Sequence, residues 1–143
     1  MPLLSFRAHG IPKGQPRPRA FAFNGKARMY DPGTAEGWKS CVAAAVKEQD
    51  WNNTIPDPVR LSVVFLFPRP GRLNKKSSPA ERIPHVSKPD ADNCLKSVMD
   101  CMTQLGMWID DAQVCGVEVE KWYVSRDEKP GAEIRIDVLS EAA

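Results

Sequence analysis

Val59-Arg-Leu-Ser-Val-Val-Phe-Leu-Phe67 alternates apolar with polar residues at its start and then runs continuously apolar. Alternation buries one face of a strand and an unbroken apolar run buries both, so this segment is expected to be a central strand of the core sheet. Upstream, Trp38, Val42, Ala45 and Val46 recur at helical spacing. Thr34 can cap that helix, which should end near Asp50, before Pro56 and Pro58. Earlier still, Leu3 to Ala8 reads as a strand, and Ile11 to Arg19 as an irregular basic connection that proline keeps out of regular pairing. Ala20 to Phe23 and Ala27 to Tyr30 flank Asn24-Gly25, a favoured hairpin turn.

Downstream of Phe67 the composition changes. Residues 68 to 88 are rich in Pro, Ser, Arg and Lys and poor in apolar side chains, which predicts a basic, mobile loop. Asp90 to Gly106 reads as a second helix, closed by Gly106 at its C-terminal cap. Gln113 to Val124 and Ala132 to Leu139 read as two strands forming an antiparallel pair. This order of elements describes a compact single α+β domain over residues 1–143, with a mixed β-sheet and two main helices.

Composition bounds the function. A chain of 143 residues can build one hydrophobic core of ordinary size. No run approaches the roughly 20 apolar residues of a membrane span, and Met1 to Arg7 is too soon interrupted to be a secretory signal, so a cytoplasmic protein is expected. Cys41, Cys94, Cys101 and Cys115 show neither C-x-x-C pairing nor a nearby histidine; reduced, mostly buried thiols are expected. The net charge is only +2, but Arg7, Lys13, Arg17, Arg19, Lys26 and Arg28 all precede the first acidic residue, Asp31, which suggests a polyanionic partner.

The acidic residues gather elsewhere, in Lys88-Pro-Asp-Ala-Asp-Asn-Cys-Leu-Lys96, then Asp100, then Asp110-Asp111. Like charges so close repel unless a cation neutralises them. At about 100° per residue, Asp92, Lys96 and Asp100 fall on one arc, beside a broader arc of Leu95, Val98, Met99, Met102 and Leu105 that should face the core. Asp90 sits just before the first turn. Asp111 precedes a strand that could return along the helix end, so Asp90, Asp92 and Asp111 are expected to converge. Three carboxylates around one or two Mg²⁺ or Mn²⁺ ions suit phosphodiester hydrolysis, because hard cations take oxygen ligands, activate water and neutralise the attacked phosphate. Lys96 could position the water, offset the carboxylates or touch the phosphate. Singly, each aspartate reads as an ordinary cap or turn residue; together with Lys96 they read as a metal site, with Asp100 and Asp110 divided between solvated surface and support of the ligands.

Lys88-Pro-Asp-Ala-Asp-Asn93, Lys96, Asp100 and Leu105-Gly-Met-Trp-Ile-Asp-Asp-Ala-Gln-Val114 together resemble the signature of RusA-type Holliday junction resolvases. The segment Gly10-Ile-Pro-Lys-Gly-Gln-Pro-Arg-Pro-Arg19 and the strand order are also similar to that family. The resemblance implies a homodimeric, Mg²⁺-dependent endonuclease that nicks four-way DNA junctions symmetrically. It also implies metal-binding catalytic roles for Asp90, Asp92 and Asp111, and an essential role for Lys96. The long segment from Arg69 to Lys88 departs from the family pattern. Lys13, Arg17, Arg19, Arg69, Arg72, Lys75, Lys76 and Lys88 are candidate phosphate contacts, which would make binding strongly salt-dependent. A broader structure-selective nuclease acting on forks or flaps, and a catalytically silent junction-binding accessory protein, stand as the alternatives. His9 and His85 have no partner at ligand spacing and receive no role.

Overall fold

The computed structural model describes residues 2–15, 19–23, 25–30 and 35–139, with the backbone alone for 19–23 and 26–30. Seven strands and two helices follow in the order β1 (Leu4–His9), β2 (Arg19–Phe23), β3 (Lys26–Tyr30), α1 (Glu36–Glu48), β4 (Val59–Phe67), β5 (Ile83–Pro84), α2 (Ala91–Gln104), β6 (Val114–Tyr123) and β7 (Gly131–Val138). Five strands form one mixed sheet in the order β1-β7-β4-β6-β5, and β2 pairs with β3 in a separate hairpin. The α+β class and the mixed sheet agree with expectation.

β4 is central, as its apolar run requires. Val59, Leu61, Val63, Phe65, Leu66 and Phe67 are all buried, and side chains of this kind stabilise by about 1.5–3 kcal/mol each when fully buried. The two C-terminal strands do not pair with each other, contrary to expectation. β4 lies between them, parallel to β6 and antiparallel to β7. β4 is paired along nearly its whole length on both edges, whereas β6 keeps Glu118 and Glu120 exposed and meets only the two-residue β5 on its far edge. Because β4 and β6 run parallel, the chain between them must cross over, and α2 supplies that crossover.

The helices pack on one face of the sheet over Phe6, Ala8, Leu61, Val63, Phe65, Ile134 and Ile136. In α1, Trp38, Val42, Ala45 and Val46 are buried as their spacing indicates. Its N-cap is Ala35, without a side-chain capping bond; the expected Thr34 lies outside the described residues, as does Asn24 of the hairpin turn. In α2 the buried stripe is Cys94, Ser97, Val98, Cys101 and Met102. Leu95 and Met99 pack only partly against the core, and Leu105 is exposed. The stripe is rotated because Ser97 turns inward, donating to the carbonyls of Lys13 (2.9 Å) and Cys94 (2.7 Å). α2 ends as expected: Gly106 has φ 75°, its N–H bonds to Thr103 O, and Met107 N–H bonds to Met102 O, a Schellman closure that favours glycine.

Residues 68–88, expected as a mobile loop, carry a 3-10 turn at Gly71–Leu73 and then β5. Two guanidinium groups fasten the segment by its own carbonyls. Arg69 donates to Val124 O, Leu73 O, Ala80 O and Glu81 O. Arg126 donates to the carbonyls of Lys75, Lys76 and Ser78. A polar segment with little apolar content is thus held by charge-assisted hydrogen bonds instead of burial. Among the described residues, no helix is long and apolar enough to cross a membrane.

Candidate functional site

Asp90 occupies the N-cap of α2 with φ −68° and ψ 154°, and its carbonyl accepts from Cys94 N–H at 3.0 Å. An aspartate there ordinarily turns its carboxylate onto the first free amides of the helix. This one does not: α2 has no side-chain cap bond. Asp92 lies in the first turn and accepts from Asn93 N–H at 3.0 Å. Both aspartates are exposed at the N-terminal end of the helix. Two exposed carboxylates side by side, Asp90 off the helix cap and Asp92 with only Oδ1 bonded, are hard oxygen donors and fit a divalent cation.

Lys96 is exposed on the same stripe and pairs with Asp100 at 3.7 Å, one helical turn further on. An exposed pair of this kind contributes only about 0.3–0.5 kcal/mol, so Lys96 can exchange it for another anion at little cost. Asp100 therefore answers Lys96 and sits on the carboxylate-bearing stripe.

The backbone around Asp90 is held from two sides. On one side, Gln15 N–H donates to Asn93 O at 2.9 Å, and a Cβ added to Gly14 would come within 2.9 Å of Pro89 Cβ and 3.2 Å of Asn93 Cβ. That close approach lays the basic amino-terminal segment, with exposed Lys13, along the start of α2. On the other side, Lys121 of β6 donates from Nζ to Ser87 O and Pro89 O, both at 2.8 Å. The Lys88-Pro89 peptide between these contacts is cis.

Beneath the same loop His85 is buried, its ring 4.0 Å from Phe67 and 4.7 Å from Tyr123. Its Nδ1 has no hydrogen-bond partner among the described residues. Burial, aided by the charge of Lys121, holds its pKa below the ordinary value. Cys94 is also buried there, and burial pushes its thiol up to about 11, so it stays protonated and inert.

Asp111 lies elsewhere. Thr103, in the last turn of α2, donates to Asp111 Oδ1, and Trp108 Nε1 donates to Thr103 Oγ1 at 2.7 Å. Asp110 caps the 3-10 turn Asp111–Gln113, accepting from Ala112 N–H at 2.9 Å, while Gln113 Oε1 accepts from Ile109 N–H at 2.7 Å. At a rise of about 1.5 Å per residue, Thr103 is about 17 Å along α2 from Asp92. The expected convergence of Asp90, Asp92 and Asp111 therefore does not occur within one chain. α2 itself separates them, and the described residues hold no group of three or more metal-ligating side chains. Asp110 is a turn cap, remote from Asp90 and Asp92.

Of the candidate phosphate contacts, Lys13, Arg72, Lys75, Lys76 and Lys88 are exposed. Arg69 is not available, because its guanidinium is committed to backbone carbonyls. Arg17 and the side chain of Arg19 lie outside the described residues. A cavity of about 370 Å³, lined by Ser5, Arg60, Ser62, Glu118 and Arg135 among others, opens on the sheet face away from the helices and has no part in this arrangement.

Reading side chains one by one missed Lys121. Its signal was present in the period of two along β6, where Val117, Val119, Lys121 and Tyr123 stand opposite Leu61, Val63, Phe65 and Phe67 of β4. A lysine in the inward register must take its ammonium to an acceptor.

The chain is similar over its whole length to the uncharacterized protein YqaN of Bacillus subtilis (strain 168), with 33% identity over 145 residues that cover 98% of this chain and 99% of that one. The family model of endodeoxyribonuclease RusA matches residues 9–137, a span that contains the carboxylates at both ends of α2 as well as Lys96 and Lys121. The chain belongs to the RusA endodeoxyribonuclease family.

Proposed function

We propose that this protein is a divalent-metal-dependent endonuclease of the cytoplasm that resolves four-way DNA junctions, acting as a homodimer. The observation that carries this reading is the pair Asp90 and Asp92, exposed at a helix N-terminus where Asp90 leaves the cap unmade, beside a basic segment laid along the same helix. Asp90 and Asp92 would hold Mg²⁺, or Mn²⁺ in its place. When bound, the metal supplies an activated water and charge neutralisation at the scissile phosphate. Lys96 leaves Asp100 to touch that phosphate, and Lys13, Arg72, Lys75, Lys76 and Lys88 hold the DNA arms against the repulsion of the carboxylates.

Asp111 enters the site from a second copy of the chain. A two-fold axis that sets the ends of two α2 helices against each other brings Asp111 of each copy to Asp90 and Asp92 of the other, and gives one complete site for each of the two equivalent strands of a junction. Exposed Val86 and Ile109 flank the two halves of the site and would be covered by this contact.

The test is cleavage of a mobile four-way junction, a fork, a flap and a linear duplex with Mg²⁺. Paired nicks confined to the junction are expected. Equal cleavage of forks and flaps would broaden the substrate class, and binding without cleavage would leave an accessory protein. Mixing Asp92→Asn with Asp111→Asn tests the shared site: mixed dimers should regain one intact site, and mixtures as inactive as the separate variants would place all three residues' function within one chain.

A further inference from the structure

We propose that Lys121 is a positioning residue for the metal-binding carboxylates: its side chain extends the pairing of residues 83–89 onto β6 beyond the point where the backbone can, and so fixes the peptide that carries Asp90. The inference rests on the reading of Asp90 and Asp92 as metal ligands.

The segment approaching α2 is fastened to β6 one contact at a time. Ile83 pairs with Tyr123 and Pro84 with Trp122, and His85 N–H donates to Lys121 O at 3.1 Å. There the ladder stops, and two residues later the chain must turn through Lys88-Pro89 into the helix. Lys121 takes over with its side chain, reaching Ser87 O and then Pro89 O at 2.8 Å each. Pro89 O belongs to the peptide whose nitrogen is that of Asp90, so the ammonium fixes the direction in which Asp90 leaves the loop. Its inward register explains the reach. Opposite Phe65, at the edge where β4 and β6 end, the stem lies along the core and only the tip meets polar atoms. Besides the ammonium, Pro89 O meets only the weak donor Cys94 Sγ, at 3.9 Å.

Two effects of Lys121 oppose each other in sign. As a bare cation near Asp90 and Asp92 it weakens metal binding, and its removal on that account would tighten it. As the clamp of the Asp90 loop it strengthens metal binding, because residues that orient metal ligands typically matter 10- to 100-fold. The structure favours the clamp, since the ammonium is directed at carbonyls.

The experiment measures Mn²⁺ binding to the purified full-length protein by calorimetry without DNA, together with the Mg²⁺ concentration for half-maximal junction cleavage. Lys121→Met is expected to weaken Mn²⁺ binding roughly 10-fold and to raise the Mg²⁺ requirement in parallel, with metal-free junction binding unchanged and cleavage recovering at saturating Mg²⁺. Lys121→Arg, which keeps a cation able to bond two carbonyls, should restore most of the affinity. Unchanged or tighter Mn²⁺ binding by Lys121→Met overturns the proposal. If that variant does not fold, Lys121→Leu, which likewise removes both the donor and the charge, decides by the same criterion. Asp92→Asn is the control: if it binds Mn²⁺ as tightly as the unmodified protein, the assignment of the metal to this end of α2 fails, independently of Lys121.

Discussion

The two ends of α2 carry the same functional group in opposite circumstances. At the start, Asp90 declines the cap that its position offers, and Asp92 stands exposed beside it. At the finish, Asp111 is bonded by Thr103, Thr103 is bonded by Trp108, and Asp110 caps the next turn. One end leaves the Asp90 carboxylate off the cap, engages only Oδ1 of Asp92, and fixes the backbone around them through Lys121 and Gln15. The other commits its side chains directly to the fold. A carboxylate whose neighbours are held still while its own oxygens remain open is arranged for a ligand; Asp111, with Oδ1 held by Thr103, has its direction set by the fold instead.

This contrast can be broken by experiment. Asp92→Asn should reduce junction cleavage by two orders of magnitude or more, in the range of losing one group that stabilises developing charge. Its unfolding free energy should move by less than about 1 kcal/mol, since only a helix-dipole interaction is affected. A large loss of stability would make the two ends alike. Thr103→Val should act the other way, costing about 1–3 kcal/mol by chemical denaturation because Trp108 Nε1 and Asp111 lose a shared partner. Its effect on cleavage measures how far the orientation of Asp111 matters to the reaction.

Asp110→Ala should cost about 1 kcal/mol, the ordinary value of a lost cap, and leave Mn²⁺ affinity untouched. A weakened affinity would show that the turn cap reaches the metal. The smallest effect concerns His85. Its pKa is lowered in the folded protein, so the unfolded chain binds the proton more readily, and stability falls as pH drops through and below about 6.5. His85→Phe keeps a ring between Phe67 and Tyr123 and removes the unpartnered Nδ1, so it should flatten the dependence of Tm on pH between 7 and 5. An unchanged slope would assign that dependence to other groups. Glu128, held down to about 2 chiefly by its bond from Arg82, loses its contribution only in stronger acid, as pH falls from its ordinary value toward 2, and so does not confuse the measurement.

The basic loop makes the same point in reverse. Arg69 and Lys75 look alike in the sequence, as charges in a proline-rich stretch. In the fold, Arg69 is turned inward onto the carbonyls of residues 73, 80, 81 and 124, and the ammonium of Lys75 remains exposed while its carbonyl is held by Arg126. Composition identifies how much charge a segment carries. Which charges remain for DNA depends on where the carbonyls of distant residues come to lie.

Local patterns were sufficient wherever the physics is local. The apolar run of β4, the helical spacing in α1 and the glycine closing α2 each depend on near neighbours, and each is found where its pattern puts it. The aspartates, Lys96 and the family they signal were likewise legible from residue type and spacing, because a dense set of like charges is costly without a function. The insertion of β4 between β6 and β7, the inward turn of Ser97 and the clamp from Lys121 were decided by contacts across the chain. So was the position of Asp111: the residues that hold it were visible in the sequence, but only the rigid length of α2 keeps it from Asp90 and Asp92 of its own chain.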